Sequence, residues 1–456
     1  MGFGLPRQAH LQAALRLRGA AGRDREVLLA QRDEALRRIL RFAGERVPYY
    51  RRLFAQEGID PRALSGVDDL ARIPISSKLE LRENAREEMM PPELLDEDLI
   101  TDQSSGSTGV RLLLWREQFE QHLLQLYRMR AWHEIGIRVT DRIARIGQTW
   151  FWQRNWPTRV SSLRQALRIF HTTKVSAVQT PREILADLIG AEPDIITGYP
   201  SVISEVARLA ALEGETRLHP RFVLCGGETL NASLRSVIEE VLGARVFNFY
   251  GAMEFNLLAW ECSETGLLHV CDDALVLEVL RGDEPVAEGE LGEVVVTGLH
   301  GYASPLIRYR LGDLAVRGPR TCPCGAPFST LESVCGRTIE YFTRADGSLI
   351  HHWELSDAFG REVRKAILRY QIVQEADARI VYRLTVVRPL VPAEERALRR
   401  VAMEKLGEDA VFEVRIEDEI ACAPSGKMLL SVNRHRPTFA ESRWDPAAQD
   451  WTWGES

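Results

Sequence analysis

From about Leu112 to Leu242 the chain alternates helical patterns with four short apolar runs, "DRIARIG", "PDIITGYP", "RFVLCGGE" and "ARVFNFYG". Each run is too short for a helix and closes on Gly, Pro or polar residues, as strands joined by crossover helices do. Parallel strands need such crossovers, and helices then cover the sheet. The expected class is therefore α/β, with a large N-terminal domain of mixed and parallel sheets with crossover helices. In open sheets of this kind ligands bind beyond the carboxyl ends of the strands. That rule directs attention to the residues at the exit of each apolar run.

The flanking segments have other textures. "EALRRILRFAGERVPYYRRLFAQEG" carries apolar residues at three- and four-residue spacing, interrupted by Pro48, and predicts helices. Between Leu275 and Val316, "LVLEVL", "GEVVVTGL" and "GDLAVRG" predict antiparallel strands joined by tight turns. After "VCGRTIEYF", the stretches "RIVYRLTVV", "PAEERALRRVAMEKLG" and "VFEVRIEDEI" predict a small α+β unit. A chain of 456 residues exceeds one comfortable core. The boundary is placed near Arg337, giving domains 1–336 and 337–456.

Composition removes several functions. A net charge of −7 provides no basic footprint for nucleic acid. No stretch approaches the ~20 apolar residues that span a bilayer, so no membrane partner is expected. The N-terminus lacks the apolar core of a secretory signal, and "LQAALRLRGAAGRDREVLLAQRDEALRRILRFA" reads as an amphipathic helix rather than a transit peptide. Seven cysteines, with no export signal, suggest thiols or a metal site in a cytoplasmic protein. Of 58 basic residues only five are lysine: Lys78, Lys174, Lys365, Lys405 and Lys427. Those five are the candidates wherever a compact ammonium is required.

Several motifs carry chemistry. "SSGSTGVR" at 104–111 lacks the lysine of the common phosphate loop. Gly106 and Gly109 still let successive N–H groups converge, and Ser104, Ser105, Ser107 and Thr108 add hydroxyl donors. Alone, the stretch reads more readily as a flexible connector than as a phosphate loop. Gly226, Gly227 and Glu228 follow an apolar run and permit a flat ligand, or merely a tight turn. Tyr250 offers a ring face, Gly251 a turn, and Glu254 a carboxylate suited to magnesium. Asp313 stands at a Gly turn, where a carboxylate can accept from two vicinal hydroxyls, and Arg308 and Arg310 are expected to share a strand face. Cys262, His269, Cys322 and Cys324 supply three soft sulfurs and an imidazole, the donor set of a tetrahedral structural zinc. Cys271 competes with His269 for that role, and reduced thiols around a turn are the simpler alternative. Trp150, Trp152 and Trp156, with Tyr199, could wall a pocket for an aryl or hydrophobic acid, or simply pack. His171, His351 and His352 are read as structural.

Taken in order, "VPYYRRLFAQEGIDPRAL…LARIPISSK", "SSGSTG", "TGYPS", "GGETL", "YGAME", "SPLIRYRLGD", "CPCG", "GR" and a terminal "PSGK" resemble the adenylate-forming ligase superfamily. The match is best to the branch of phenylacetate–CoA ligase and capsular-polysaccharide-type adenylating proteins, over roughly residues 35 to 435. The resemblance implies that 104–109 wrap the β- and γ-phosphates of ATP. It implies that the backbone of Gly226, Gly227 and Glu228 lines the adenine pocket, that Tyr250 stacks on the base, and that Asp313 binds the ribose. Glu254 would hold Mg2+, Arg337 would sit at a hinge, and Lys427 would enter from the small mobile domain as the catalytic ammonium. In some members of the branch similar Cys–His stretches hold zinc. The implied activity is ATP-dependent activation of a carboxylic acid, followed by transfer to coenzyme A. The alternatives are an amine, hydroxyl or carrier-protein thiol as acceptor, AMP transfer to a cofactor hydroxyl, or a nucleotide-binding protein without catalysis. Met253, Val110 and Glu340 depart from the usual pattern and weaken the case for CoA. A homodimer is left open.

Overall fold

The computed structural model describes residues 22, 24–103, 112–147, 170–337, 341–344, 349–356, 363, 366–407, 410–420, 430–435, 442–445 and 450–453. It divides into two compact units, Met1–Arg138 with Asn248–Cys335, and Val139–Phe247 with Gly336–Ser456.

The first unit begins with the helix Arg25–Arg46, capped by the Asp24 carboxylate accepting from the Glu26 N–H. Leu28, Ala35, Leu36, Ile39, Leu40 and Ala43 form its buried stripe. Val47 is extended, as a residue before proline prefers, and Pro48 opens the next helix, Pro48–Gln56. The helix Gln118–Glu134 and an antiparallel sheet belong to the same unit. Leu275–Arg281 pairs with Leu291–Gly298, which pairs with Tyr309–Arg317. Thr330–Arg337 pairs with Leu268–Val270, then come Ala259–Glu261 and the end of Arg245–Tyr250. The antiparallel run expected from 275 to 316 is therefore present. The shared face of Arg308 and Arg310 is not. Arg308 lies just before the strand at φ +44° and is buried, whereas Arg310 is exposed. The left-handed residue breaks the two-residue alternation on which that reading rested.

The second unit holds the parallel sheet anticipated from the alternating pattern. Its strands run in the order Phe222–Gly226, Ile195–Gly198, Ile143–Gly147, Thr172–Ser176, all parallel. Helices Pro181–Ala191 and Pro200–Glu213 connect strands of this set, and Ala232–Leu242 follows Phe222–Gly226. Thr180 and Glu183 form a reciprocal cap on the first, and Asn231 caps the last. Ile146, Ile184, Leu188, Ile196, Val206, Val223 and Ile238 belong to the core between these layers. The same unit carries a four-stranded sheet, ordered Phe412–Ile416, Ile380–Val386, Ile367–Gln374, Ser431–Asn433, and the helix Pro392–Leu406. Ile372, Tyr382, Leu384, Leu398 and Ala402 are in its core. The helix Pro200–Glu213 meets this sheet through a buried ion pair, with both Glu205 oxygens 2.7 Å from Arg369 Nη2. Among the described residues no helix is long and apolar enough to cross a membrane.

Candidate active site and metal centre

In the first unit, Asp313 owes its position to a bulge. Glu293 pairs with Leu314 and Val295 with Arg310, so three residues, 311–313, oppose Val294 alone. Gly312 takes φ +81° there, which a side chain would strain. A bulge re-aims the residues it contains. The Tyr250 hydroxyl donates to Asp313 Oδ2 at 2.8 Å, joining two residues that the sequence singled out separately. Both are largely buried, Tyr250 at the end of its strand and Asp313 within the bulge.

Glu254 follows in a tight turn. The N–H groups of Phe255 and Asn256 both donate to the Ala252 carbonyl, at 3.1 and 2.7 Å. A Cβ on Gly251 would lie 2.2 Å from the Asn256 carbonyl oxygen, so only glycine fits. The Glu254 carboxylate is buried and accepts from the Tyr309 hydroxyl at 3.2 Å. Lys78 Nζ lies 3.4 Å from the same oxygen. Ser76 brings Lys78 there by pairing as a one-residue strand beside Tyr309: its N–H donates to the Arg308 carbonyl, and the Arg310 N–H donates back, both at 2.9 Å. Lys78, one of five lysines, has no partner legible in the sequence; its scarcity was the only signal. Arg116 was not anticipated at all. It is buried, pairs with Asp102, and donates to the carbonyls of Met253 and Glu254 at 2.6 and 2.8 Å. Burial pushes the neighbouring Glu120 carboxyl up to about 8, outweighing the attraction of Arg116.

In the second unit, Gly226 ends its strand, and Gly227 turns at φ +77°. The Glu228 side chain accepts from the Ser201 hydroxyl at 2.6 Å and from the Ser201 N–H at 3.3 Å. It thus sits at the start of the helix Pro200–Glu213, where a carboxylate is favoured by the helix dipole. Tyr199 is half-buried and packs on the parallel-sheet core. Residues 104–109, Trp150, Trp152, Trp156 and Lys427 lie outside the described residues, as does the side chain of Arg337.

The four cysteine and histidine candidates come together. One donor atom from each of Cys262, His269, Cys322 and Cys324 lies within 4.8 Å of the others. Cys262 and His269 flank the turn between Ala259–Glu261 and Leu268–Val270, and the C-x-C pair comes from the loop before Thr330–Arg337. Cys322 and Cys262 sulfurs are 3.8 Å apart, and Cys324 Sγ is 3.4 Å from His269 Nε2. A tetrahedron with Zn–S of ~2.3 Å and Zn–N of ~2.0–2.1 Å has edges of about 3.8 and 3.6 Å, so the residues fit the ion. The surroundings favour the ligand form of two donors and oppose it at a third. Burial, with Arg130 nearby, pushes His269 down to about 4, leaving a neutral imidazole. Burial opposes ionisation of Cys262, but hydrogen bonds from Thr265 and the Glu264 N–H hold it below its ordinary value. Burial and the adjacent thiols push Cys324 up to about 12. Cys271, the competing ligand, is instead buried against Arg130, whose Nη2 lies 3.8 Å from its sulfur.

No family model matches the chain. Against curated proteins it is 27% identical over 400 residues to the phenylacetate-coenzyme A ligase of Thermus thermophilus, covering 78% of this chain and 87% of the relative. It is 28% identical over 314 residues to that of Pseudomonas putida, covering 67% and 69%. Among solved structures, 2-hydroxyisobutyryl-CoA ligase in its postadenylation state, in complex with 2-HIB-AMP, superimposes with a TM-score of 0.73 at 19% identity, over 89% of this chain and 90% of that one. The chain resembles the adenylate-forming ligases across most of its length. The α/β fold is what the alternating runs predicted, and the relatives are ligases of the kind that the ordered motifs resemble.

Proposed function

We propose that this ligase activates a carboxylic acid with ATP as its acyl-adenylate and passes the acyl group to coenzyme A. The observation that carries the reading is the joining of Tyr250 to Asp313, with Glu254 buried in the turn that follows Tyr250, in a chain that matches a phenylacetate–CoA ligase over 78% of its length. The acid is aryl or hydrophobic, a choice supported by the relatives' substrate and by Tyr199 at a strand exit.

In the first step a carboxylate oxygen attacks the α-phosphorus, the bond to the β-phosphate oxygen breaks, and pyrophosphate leaves. Two anions must meet, so the protein's work is positioning and charge neutralisation. Asp313, oriented by Tyr250, accepts from the ribose hydroxyls. The Gly226–Glu228 backbone meets the adenine edge. Glu254 is the residue that would hold Mg2+, which when bound neutralises phosphate charge. Lys427 supplies the ammonium shared by the carboxylate and the α-phosphate. In the second step the thiol of coenzyme A attacks the acyl carbon and AMP leaves. Residues 337–456, with Arg337 at the hinge, act as the small domain that withdraws Lys427 between steps. The Cys–His cluster holds a structural Zn2+ with no part in either step.

The test is carboxylate-dependent ATP–pyrophosphate exchange over a panel of aryl and aliphatic acids, with Lys427→Ala as control. Exchange with at least one acid, reduced about 10²–10³-fold in the variant, is expected. No exchange with any acid, or equal exchange by the variant, refutes the mechanism. Adding coenzyme A, an amine or neither to the productive acid then identifies the acceptor.

A further inference from the structure

The turn that carries Glu254 has a partner outside the ligase motifs. Strands Ile100–Gln103 and Leu113–Arg116 pair antiparallel, with Ile100 opposite Arg116 and Asp102 opposite Leu114. They bracket residues 104–111 in the sequence. Arg116 is 3% exposed, and its three guanidinium nitrogens are all engaged. Nη1 pairs with Asp102 on the facing strand, and Nε lies 3.3 Å from Glu120. Nη2 donates to the carbonyls of Met253 at 2.6 Å and Glu254 at 2.8 Å. The Ala252 carbonyl closes the turn, so the carbonyls of Met253 and Glu254 need a donor from elsewhere. The carboxylate of Glu254 is meanwhile held by Lys78 and Tyr309. Main chain and side chain of this residue are thus fixed from two directions.

A simple ion pair with Asp102 would need only a positive charge. Serving a carboxylate with one nitrogen and two main-chain carbonyls with another requires the planar fork that only arginine has. We propose that Arg116 is a positioning residue of the adenylation step, setting the main chain of Glu254 in register with the strand pair of Asp102. The proposal rests on the ligase reading above. A displacement of about 1 Å at such a residue costs on the order of 10² in rate without changing what the enzyme binds.

The experiment compares the full-length wild type with Arg116→Lys and Arg116→Gln in acid-dependent ATP–pyrophosphate exchange, with urea unfolding measured alongside. The lysine variant keeps the charge and loses the fork. It is expected to unfold near the wild-type midpoint, to lose about 100-fold in kcat, and to keep its KM for the acid within about twofold. The glutamine variant should lose at least as much. An unchanged kcat in folded Arg116→Lys overturns the proposal, and so does a loss that only tracks the fraction unfolded. If neither variant folds, Asp102→Asn leaves the carbonyl bonds and loosens the strand end; it should lower kcat in the same sense, and wild-type kcat there overturns the proposal. A wild type with no exchange refutes the ligase reading and takes this inference with it, whereas an active wild type with an indifferent Arg116 refutes this inference alone.

Discussion

Replacing Cys322 by serine tests the metal centre directly. Cys262 and Cys322 are separated by 60 residues, and their sulfurs stand 3.8 Å apart. A clip closing a loop of that length is worth about 4 kcal/mol by the chain-entropy relation for cross-links. In a unit of this size 1 kcal/mol corresponds to roughly 2–4 °C in Tm. Cys322→Ser should therefore melt about 8–16 °C below the wild type. Elemental analysis of protein purified without chelators should find one zinc per wild-type chain and none in the variant. A strong chelator should lower the wild-type Tm to that of Cys322→Ser and leave the variant where it is. Cys271→Ser, outside the cluster, should keep its zinc. Wild-type protein without zinc, or a Cys322→Ser variant that melts with the wild type, refutes the reasoning.

Two further perturbations concern buried charge. The Glu205 and Arg369 side chains are 7% and 13% exposed, so Glu205→Gln strands a buried guanidinium and should cost about 3–5 kcal/mol in urea unfolding. The double variant Glu205→Leu/Arg369→Met should regain part of that loss; a cost under about 1 kcal/mol for the single change would mean the pair is effectively solvated. Glu120 is held near 8, well above an unfolded glutamate at roughly 4.3, because burial favours its protonated form. Its stabilising proton is fully bound below the unfolded value and is lost as pH rises through the folded one. Between pH 5 and 8.5 this group alone should lower stability by up to about 1.4 kcal/mol per pH unit, and Glu120→Gln should flatten the profile by that amount. Parallel profiles for the two proteins would contradict the assignment.

The sequence legibly contained whatever local pattern determines. Period and run length announced the parallel strands between 143 and 226, because buried strands between helices have no other economical arrangement. Cys262 with His269, and Cys322 with Cys324, could be picked out because each pair sits on one short turn. Tyr250 and Glu254 stood out by their place after an apolar run, and Asp313 by its Gly turn. The Arg308–Arg310 face failed because one residue at φ +44° undoes strand alternation, and nothing in "LIRYR" signals that angle.

Pairings over long separations belonged to the tertiary structure. Residue types and their order along the chain gave the α/β class and the resemblance to the ligases. That Lys78 meets Glu254 across 176 positions, that Arg116 holds the carbonyls of a turn 137 and 138 residues later, and that Tyr250 steadies Asp313 through a strand bulge depended on register and burial. A buried polar atom must find a partner somewhere, but composition does not say where. The folded sheet decides it, by bringing one donor within reach and excluding the water that would otherwise have served.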